Sequence, residues 1–215
     1  QGELGGKNGF VDAVFGARLA TKKIEHEPLT SLVSRVVRGG YPEALARASD
    51  ARRRSWFDAY ITTLLQRDIQ ELARVEGLNE LPRLLALIAA RTSTLLNFAE
   101  LSRSIAFPQT TLKRYLALLE AVFLVQMLPA WSTNIGKRHV KTPKVMLHDT
   151  GLATHLSGLD ATRLMRASAH LGPVLETFVA MEVKKQASWS DTRPALFHYR
   201  PHTGHEVDLV LESAD

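Results

Sequence analysis

Four carboxylates fall where they could meet near the end of this 215-residue chain. Glu176 lies in LETFVAMEV, and Glu206, Asp208 and Glu212 lie in HEVDLVLE. The second segment alternates as a strand, which puts Val207, Leu209 and Leu211 on one face and Glu206, Asp208, Val210 and Glu212 on the other. Residues 195–200 form the preceding strand and Pro201–Gly204 the turn, so the two strands make a hairpin. Residues 173–186, opening at Pro173, read as a helix that packs across it. Glu176 and Asp208 are therefore expected to come close enough to share one cation or one basic partner. Only oxygen ligands are on offer, so a cation there would be Mg²⁺ or Mn²⁺. The competing arrangement satisfies Asp208 with backbone amides or with Arg200 on the neighbouring strand. His198, His202 and His205 surround the same turn. Three imidazoles can ligate zinc, but no fourth ligand is spaced to help, and exposed turn residues are the simpler reading.

A second constellation is basic. Residues 97–120 have a helix-turn-helix layout, with Asn97 capping the first helix, Glu100 three residues on, and Phe107-Pro108 at the turn. Gln109, Thr110, Thr111, Lys113 and Arg114 sit on the first turns of the second helix, and Arg103 precedes the turn. Such donors suit base edges and phosphates. A strand at 122–128 and a basic loop carrying Lys137, Arg138, Lys141 and Lys144 would form a wing along a nucleic-acid backbone. The same scaffold with no nucleic acid, used for protein contacts, is the alternative.

The third constellation is Arg38-Gly39-Gly40-Tyr41-Pro42. It fits a nucleotide-sensing lid in which Arg38 reaches a phosphate. It equally fits a helix stop at Gly39-Gly40 followed by a helix start at Pro42.

The elements that must position these groups are mostly helical. Helical spacing predicts short helices from Phe10 to Leu19 and from Leu29 to Val37, and a long one over 52–74 with Phe57, Ile61, Leu64, Leu65, Ile69 and Leu72 as its apolar stripe. A helix at 80–91 is apolar nearly all round and is expected to be buried. A strand at 145–148 leads to Asp149, which caps a helix at 150–156.

Composition bounds the function. Hydrophobic residues make up 45 % and charged residues 23 %, which excludes a disordered or collagen-like chain. No apolar run approaches the roughly 18 residues of a membrane span, so no membrane partner is expected. Cysteine is absent, which excludes thiolate chemistry and disulfides and is compatible with a reducing cytoplasm. The net charge of +5 is uneven: +1 over residues 1–50, +7 over 51–144 and −3 over 145–215. The middle third is the candidate footprint on phosphate.

Four segments in order carry a resemblance: GGYPEAL at 39–45, RDI at 67–69, KTPKVMLHDTGLATHL at 141–156, and LETFVAMEV followed by YRPHTGHEVDLVLE over 175–212. Together they resemble the C-terminal portion of prokaryotic AAA-type ATPases that end in a domain of unknown function. The resemblance implies an N-terminal ATPase core in the full-length protein, with ATP and Mg²⁺ bound there. The opening Gln1-Gly2-Glu3 reads like the middle of such a protein. Here no GxxxxGK(S/T) segment occurs, so this chain is not expected to bind ATP tightly or hydrolyse it. The Glu-bearing helix followed by the Asp-bearing strand also resembles the start of the PD-(D/E)xK nuclease fold, which would make Glu176 and Asp208 catalytic metal ligands. The Glu-x-Lys strand of that fold is missing from the sequence.

The expected fold is thus α+β and mostly helical. It comprises ATPase-lid helices over 1–50, a helical and winged helix-turn-helix unit over 51–144, and a truncated nuclease-like α/β domain over 145–215. The expected role is the regulatory and nucleic-acid- or partner-binding portion of an ATPase, with no cofactor of its own beyond Mg²⁺ at Glu176 and Asp208. The alternatives are a metal-dependent nuclease and a structural interaction module. The expected partners are the ATPase core, DNA or a protein, and the sequence is compatible with a homo-oligomer.

Overall fold

Caps and turn residues decide where the helices of this chain begin and stop. The computed structural model describes residues 9–16, 26–69, 80–166, 168–201 and 204–213. Helix α1 spans Phe10–Phe15 and α2 spans Leu29–Arg38. The expected end of the first helix, Leu19, lies outside the described residues. Helix α2 stops at Gly39, whose φ of 71° and ψ of −163° are open essentially only to glycine. Pro42 then opens α3 (Pro42–Leu45). Helix α4 (Asp50–Thr63) starts on Ser49, whose hydroxyl accepts from the Arg52 amide, and runs on into a π-turn over Leu64–Asp68. Residues 70–74 of the expected long helix lie outside the described residues.

The middle of the chain alternates helices and short strands. Helix α5 (Leu81–Ala89) buries Leu81, Leu84, Leu85 and Ile88. Strand β1 (Thr94–Leu95), α6 (Phe98–Ile105), α7 (Gln109–Ala121) and β2 (Val125–Leu128) follow. The expected basic loop over 137–144 is instead helix α8 (Ile135–Val140) and the start of β3 (Lys144–Leu147). The Asn134 side chain makes the helix by accepting from the Lys137 amide at 3.2 Å. Strand β3 is the centre of an antiparallel sheet of order β1-β3-β2, with Lys144 opposite Leu128 on one side and Leu95 on the other. A residue laddered on both sides cannot belong to a loop.

Helix α9 (Thr150–Leu156) starts on Asp149, whose carboxylate accepts from the Leu152 amide at 2.8 Å. Helix α10 spans Ala161–Arg166 and α11 spans Ser168–Trp189. Pro173 lies inside α11, so the helix expected over 173–186 starts earlier than its proline. Strands β4 (Ala195–Tyr199) and β5 (Val207–Glu212) form the expected hairpin, with a register shift between Phe197 and Tyr199.

The fold is α+β and mostly helical, as expected. One core joins Ala44, the α4 stripe, α5, the α6–α7 pair, Val145 and Leu147 of β3, and Leu152 and Ala153 of α9. It draws on all three of the segments expected from sequence. A second cluster packs Val33 and Val36 of α2 on Leu164 and Val174. A third packs Leu128 and Met146 on Ala180 and Met181 of α11, under Leu196 and Leu209 of the hairpin. Among the described residues no helix is long and apolar enough to cross a membrane.

Two predictions follow from the packing. A Cβ at Gly39 would lie 2.8 Å from Asp149 Oδ2 and 2.9 Å from its Cγ. Backbone strain and overpacking together make Gly39→Ala cost about 2–4 kcal/mol in urea unfolding. His148, edge-on to Phe123, is pushed down to about 4 by burial, with Lys184 adding to the shift. The folded state then holds it neutral while the unfolded chain takes up a proton below 6.5. Stability from this group is present above pH 6.5 and is lost as pH falls towards 4. The stability of the natural chain relative to His148→Phe should therefore decline between pH 7 and pH 4.5.

Candidate functional site

Three of the four carboxylates at the C-terminal end converge, and on a lysine; Glu212 pairs elsewhere. Lys144 opens β3 with its side chain 3 % exposed. Its ammonium donates to Glu176 Oε1 at 2.6 Å and to Asp208 Oδ1 at 3.0 Å, and it lies 2.7 Å from Glu206 Oε1. Burial pulls the lysine towards neutrality, but the hydrogen bonds to Glu176, Glu206 and Asp208 outweigh it and hold the ammonium above the usual lysine range. Burial also raises Glu176, against the pull of Lys144. The expected approach of Glu176 and Asp208 is thus mediated by a basic partner from outside the hairpin. Arg200 meets Glu206 at 3.8 Å instead. Lys144, expected on a wing, is part of a sheet. A charge opening the buried run Val145-Met146-Leu147 was the signal that it needed partners.

Helix α11 is held in place for this by the next residue. The buried Thr177 hydroxyl hydrogen-bonds Thr92 at 2.8 Å and Ser93 at 2.9 Å, beside β1. This fixes the rotation of α11 that aims Glu176 at β3.

The position between Glu176 and Asp208 is filled by the ammonium, so these residues as arranged do not fit a Mg²⁺ or Mn²⁺ ion, which would have to displace a buried cation. Among the described residues no group of three or more His, Asp or Glu is placed to hold a metal. His202 lies outside the described residues. His198 is buried with Nε2 3.2 Å from the Thr142 carbonyl oxygen, and His205 is exposed.

Arg138 is likewise committed. Its guanidinium forks onto Glu212, donating from Nη2 to Oε1 at 2.8 Å and from Nη1 to Oε2, and from Nε to the Ser132 carbonyl. It sits over the Phe197 ring at 4.9 Å, and Trp131 donates to the same carboxylate at 3.0 Å. Expected as a phosphate contact, Arg138 joins α8 to β5 and has no free fork to offer.

The other expected nucleic-acid residues are available. Gln109, Thr110, Lys113 and Arg114 are exposed along the first turns of α7, with Thr111 half-buried beside them. Asn97 caps α6 by accepting from the Glu100 amide at 3.1 Å, and Ala106 turns the chain with φ of 61°. The Glu100 carboxylate itself pairs with Arg91 at 3.0 Å. Leu112, Tyr115, Leu116 and Leu119 bury the opposite face of α7, which fixes its polar face outward. Lys113 lies 5.4 Å over the Phe98 ring. Arg103 and Lys137 are exposed on α6 and α8.

Gly39 and Gly40 serve a junction. The Gly40 amide donates to Asp149 Oδ2 at 2.6 Å, and a Cβ on Gly151 would lie 2.8 Å from Gly39 Cα. The end of α2 thus packs backbone to backbone against the start of α9. Arg38 lines a cleft beside this junction.

The Lys144 centre predicts an order of effects. Lys144→Met strands Glu176 and Glu206 without their cation and should cost about 3–5 kcal/mol in urea unfolding. Asp208, with its side chain 60 % exposed, contributes less: Asp208→Asn should cost under about 1 kcal/mol. Equal losses for the two would contradict a centre built on Lys144.

Two uncharacterized proteins, from Mycobacterium tuberculosis and Mycobacterium bovis, are each 34 % identical over 176 residues. The match covers 82 % of this chain and 39 % of each relative, so the chain spans about two fifths of their length. No solved structure matches. The model of a second domain of unknown function, DUF4143, matches residues 171–215, the stretch with Glu176 and the hairpin. The model of the domain of unknown function DUF8612 matches residues 29–163, from α2 through the Lys144 strand into α10. The chain belongs to the DUF8612 family.

Proposed function

We propose that this chain is the nucleic-acid-binding, regulatory portion of an AAA-type ATPase and is not itself a catalyst. The observation that carries the reading is the exposed row Gln109, Thr110, Lys113 and Arg114 on the second helix of a helix-turn-helix, opposite a fully buried apolar face. Its setting supports it. The order α5, β1, α6, α7, β2, β3 with a β1-β3-β2 sheet supports reading this unit as a winged helix, with α8 in the wing. In that geometry the second helix enters the major groove and its first turns meet base edges and phosphates. Lys137 and Arg103 would add backbone contacts, whereas Arg138 would not.

An ATPase core, with its ATP and Mg²⁺, would lie outside these residues. The ordered motifs named above support that part of the proposal, and the relatives have length to spare for such a core. The nuclease reading is weaker, because the ammonium of Lys144 occupies the space between its two acidic residues.

Binding to duplex DNA should be weak, largely non-specific and salt-sensitive, followed by anisotropy of a labelled duplex. Each lost phosphate contact changes the slope of log affinity against log salt by about 0.9. Lys113→Ala with Arg114→Ala should flatten that slope by up to about two units. Failure of the natural chain to retain DNA at ~50 mM salt, where such binding is strong, would leave the α7 face as a protein-contact surface.

A further inference from the structure

A cleft of about 390 Å³ opens between α2, α4, α9 and α10, remote in sequence from the α7 face. Its size suits a small ligand. Four arginines line it: Arg38 from α2, Arg53 and Arg54 from α4, and Arg163 from α10. The carboxylates lining it are Asp50 and Asp160. The lining arginines and carboxylates therefore leave a charge of +2.

The arginines differ in what they already hold. The Arg53 side chain is 10 % exposed and is fixed by Asp50 at 2.5 Å and by the Ala44 carbonyl oxygen at 3.3 Å from Nε. Arg163 donates to the Gly158 carbonyl at 2.9 Å and lies 3.9 Å from Asp160. Arg38 and Arg54 are exposed, and neither side chain has a hydrogen bond or ion pair among the described residues. The Thr154 hydroxyl on the cleft wall already donates to its own helix, at 2.9 Å to the Thr150 carbonyl oxygen. His155, also on the wall, is paired with Asp58 at 2.8 Å, so the uncommitted charged donors of the cleft are guanidinium groups on α2 and α4, with the Ser34 hydroxyl beside them. Guanidinium forks match phosphate oxygens bidentately. Val37 and Leu159 supply apolar wall.

We propose that this cleft binds a phosphate dianion, free or carried by a small organic molecule, with Arg38 and Arg54 as its main ligands and Arg53 as a fixed floor. Gly151 lines the same cleft and packs on Gly39, so an occupant would brace α2 against α9. This proposal does not depend on the nucleic-acid reading.

The probes are inorganic phosphate and adenosine monophosphate, titrated into the full chain by calorimetry at low salt. At least one should bind with Kd below about 1 mM. The double variant Arg38→Gln with Arg54→Gln should lose at least about tenfold in affinity, a change of about 1.4 kcal/mol. Both side chains are exposed, so its unliganded unfolding midpoint should match that of the natural chain. Comparable affinities for the two probes would assign the site to phosphate itself, and tenfold preference for the monophosphate to a small organic phosphate. Absence of binding to the natural chain overturns the proposal. So does an equal loss in the charge-matched Arg83→Gln with Lys185→Gln, which would mark the binding as diffuse attraction.

Discussion

A buried ammonium must be surrounded by acceptors, and in this protein that requirement decides how the C-terminal helix and hairpin sit. Lys144 cannot move to find partners, because β3 is laddered to β1 and β2 on both sides. The partners must come to it. Glu176 arrives on α11, oriented by the Thr177 hydroxyl, and Glu206 and Asp208 arrive with β5. Removing two or three charges from water costs nearly as much as their attraction returns. The cluster therefore adds little net stability over an apolar packing of the same volume. It instead penalises every docking of α11 and β5 that leaves the lysine alone. The hydrophobic contacts of Met146, Ala180, Met181 and Leu209 provide adhesion, and the charges select one geometry from those that adhesion permits.

The other end of β3 works by closeness. Asp149 lies two residues after the end of β3 and directly before the first turn of α9, which it caps while accepting from Gly40. Burial raises this carboxyl, and the amides of Gly40, Leu152 and Gly151 pull it back. The two glycine-containing segments, RGG and DTG, are thus halves of one contact. Neither tolerates a side chain because each is pressed on the other. Strand β3 carries a buried charge at its start and leads into another, and through these two charges it ties α11, the hairpin, α2 and α9 together.

Much of this was legible locally. Caps announced their helices: Asn97 before α6, Asp149 before α9, Pro42 at the start of α3. Alternation in EVDLVLE placed Asp208 on the face that meets Glu176. What local reading missed were consequences of sheet pairing. Four basic residues within eight, Lys137 to Lys144, look alike in sequence. Pairing of β3 between two strands buries Lys144, and a cap at Asn134 turns Arg138 inward to Glu212. Lys141 stays exposed. Pro173 misled in a similar way. A proline early in a helix loses one amide bond, and Leu171, Val174 and Leu175 packing on α2 more than offsets that loss.

The basic charge of the first two segments consequently divides into two populations with different physical meaning. Arg53, Arg91, Arg138 and Lys144 are neutralised by specific carboxylates within 3 Å; they are parts of the scaffold and contribute almost no field outside it. Arg38, Arg54, Arg103, Arg114 and Lys137 have no ion pair among the described residues, and their field extends into solvent over about a Debye length. Net charge by segment weighs both populations equally and so overstates residues 137–144, where Arg138 and Lys144 are spent internally. Counting only uncommitted cations moves the electrostatic emphasis to two places, the outer face of α7 and the cleft beside α2. Both are built on rigid helices whose opposite faces are buried. A ligand at either would therefore meet donors already held in position, which lowers the entropy lost on binding.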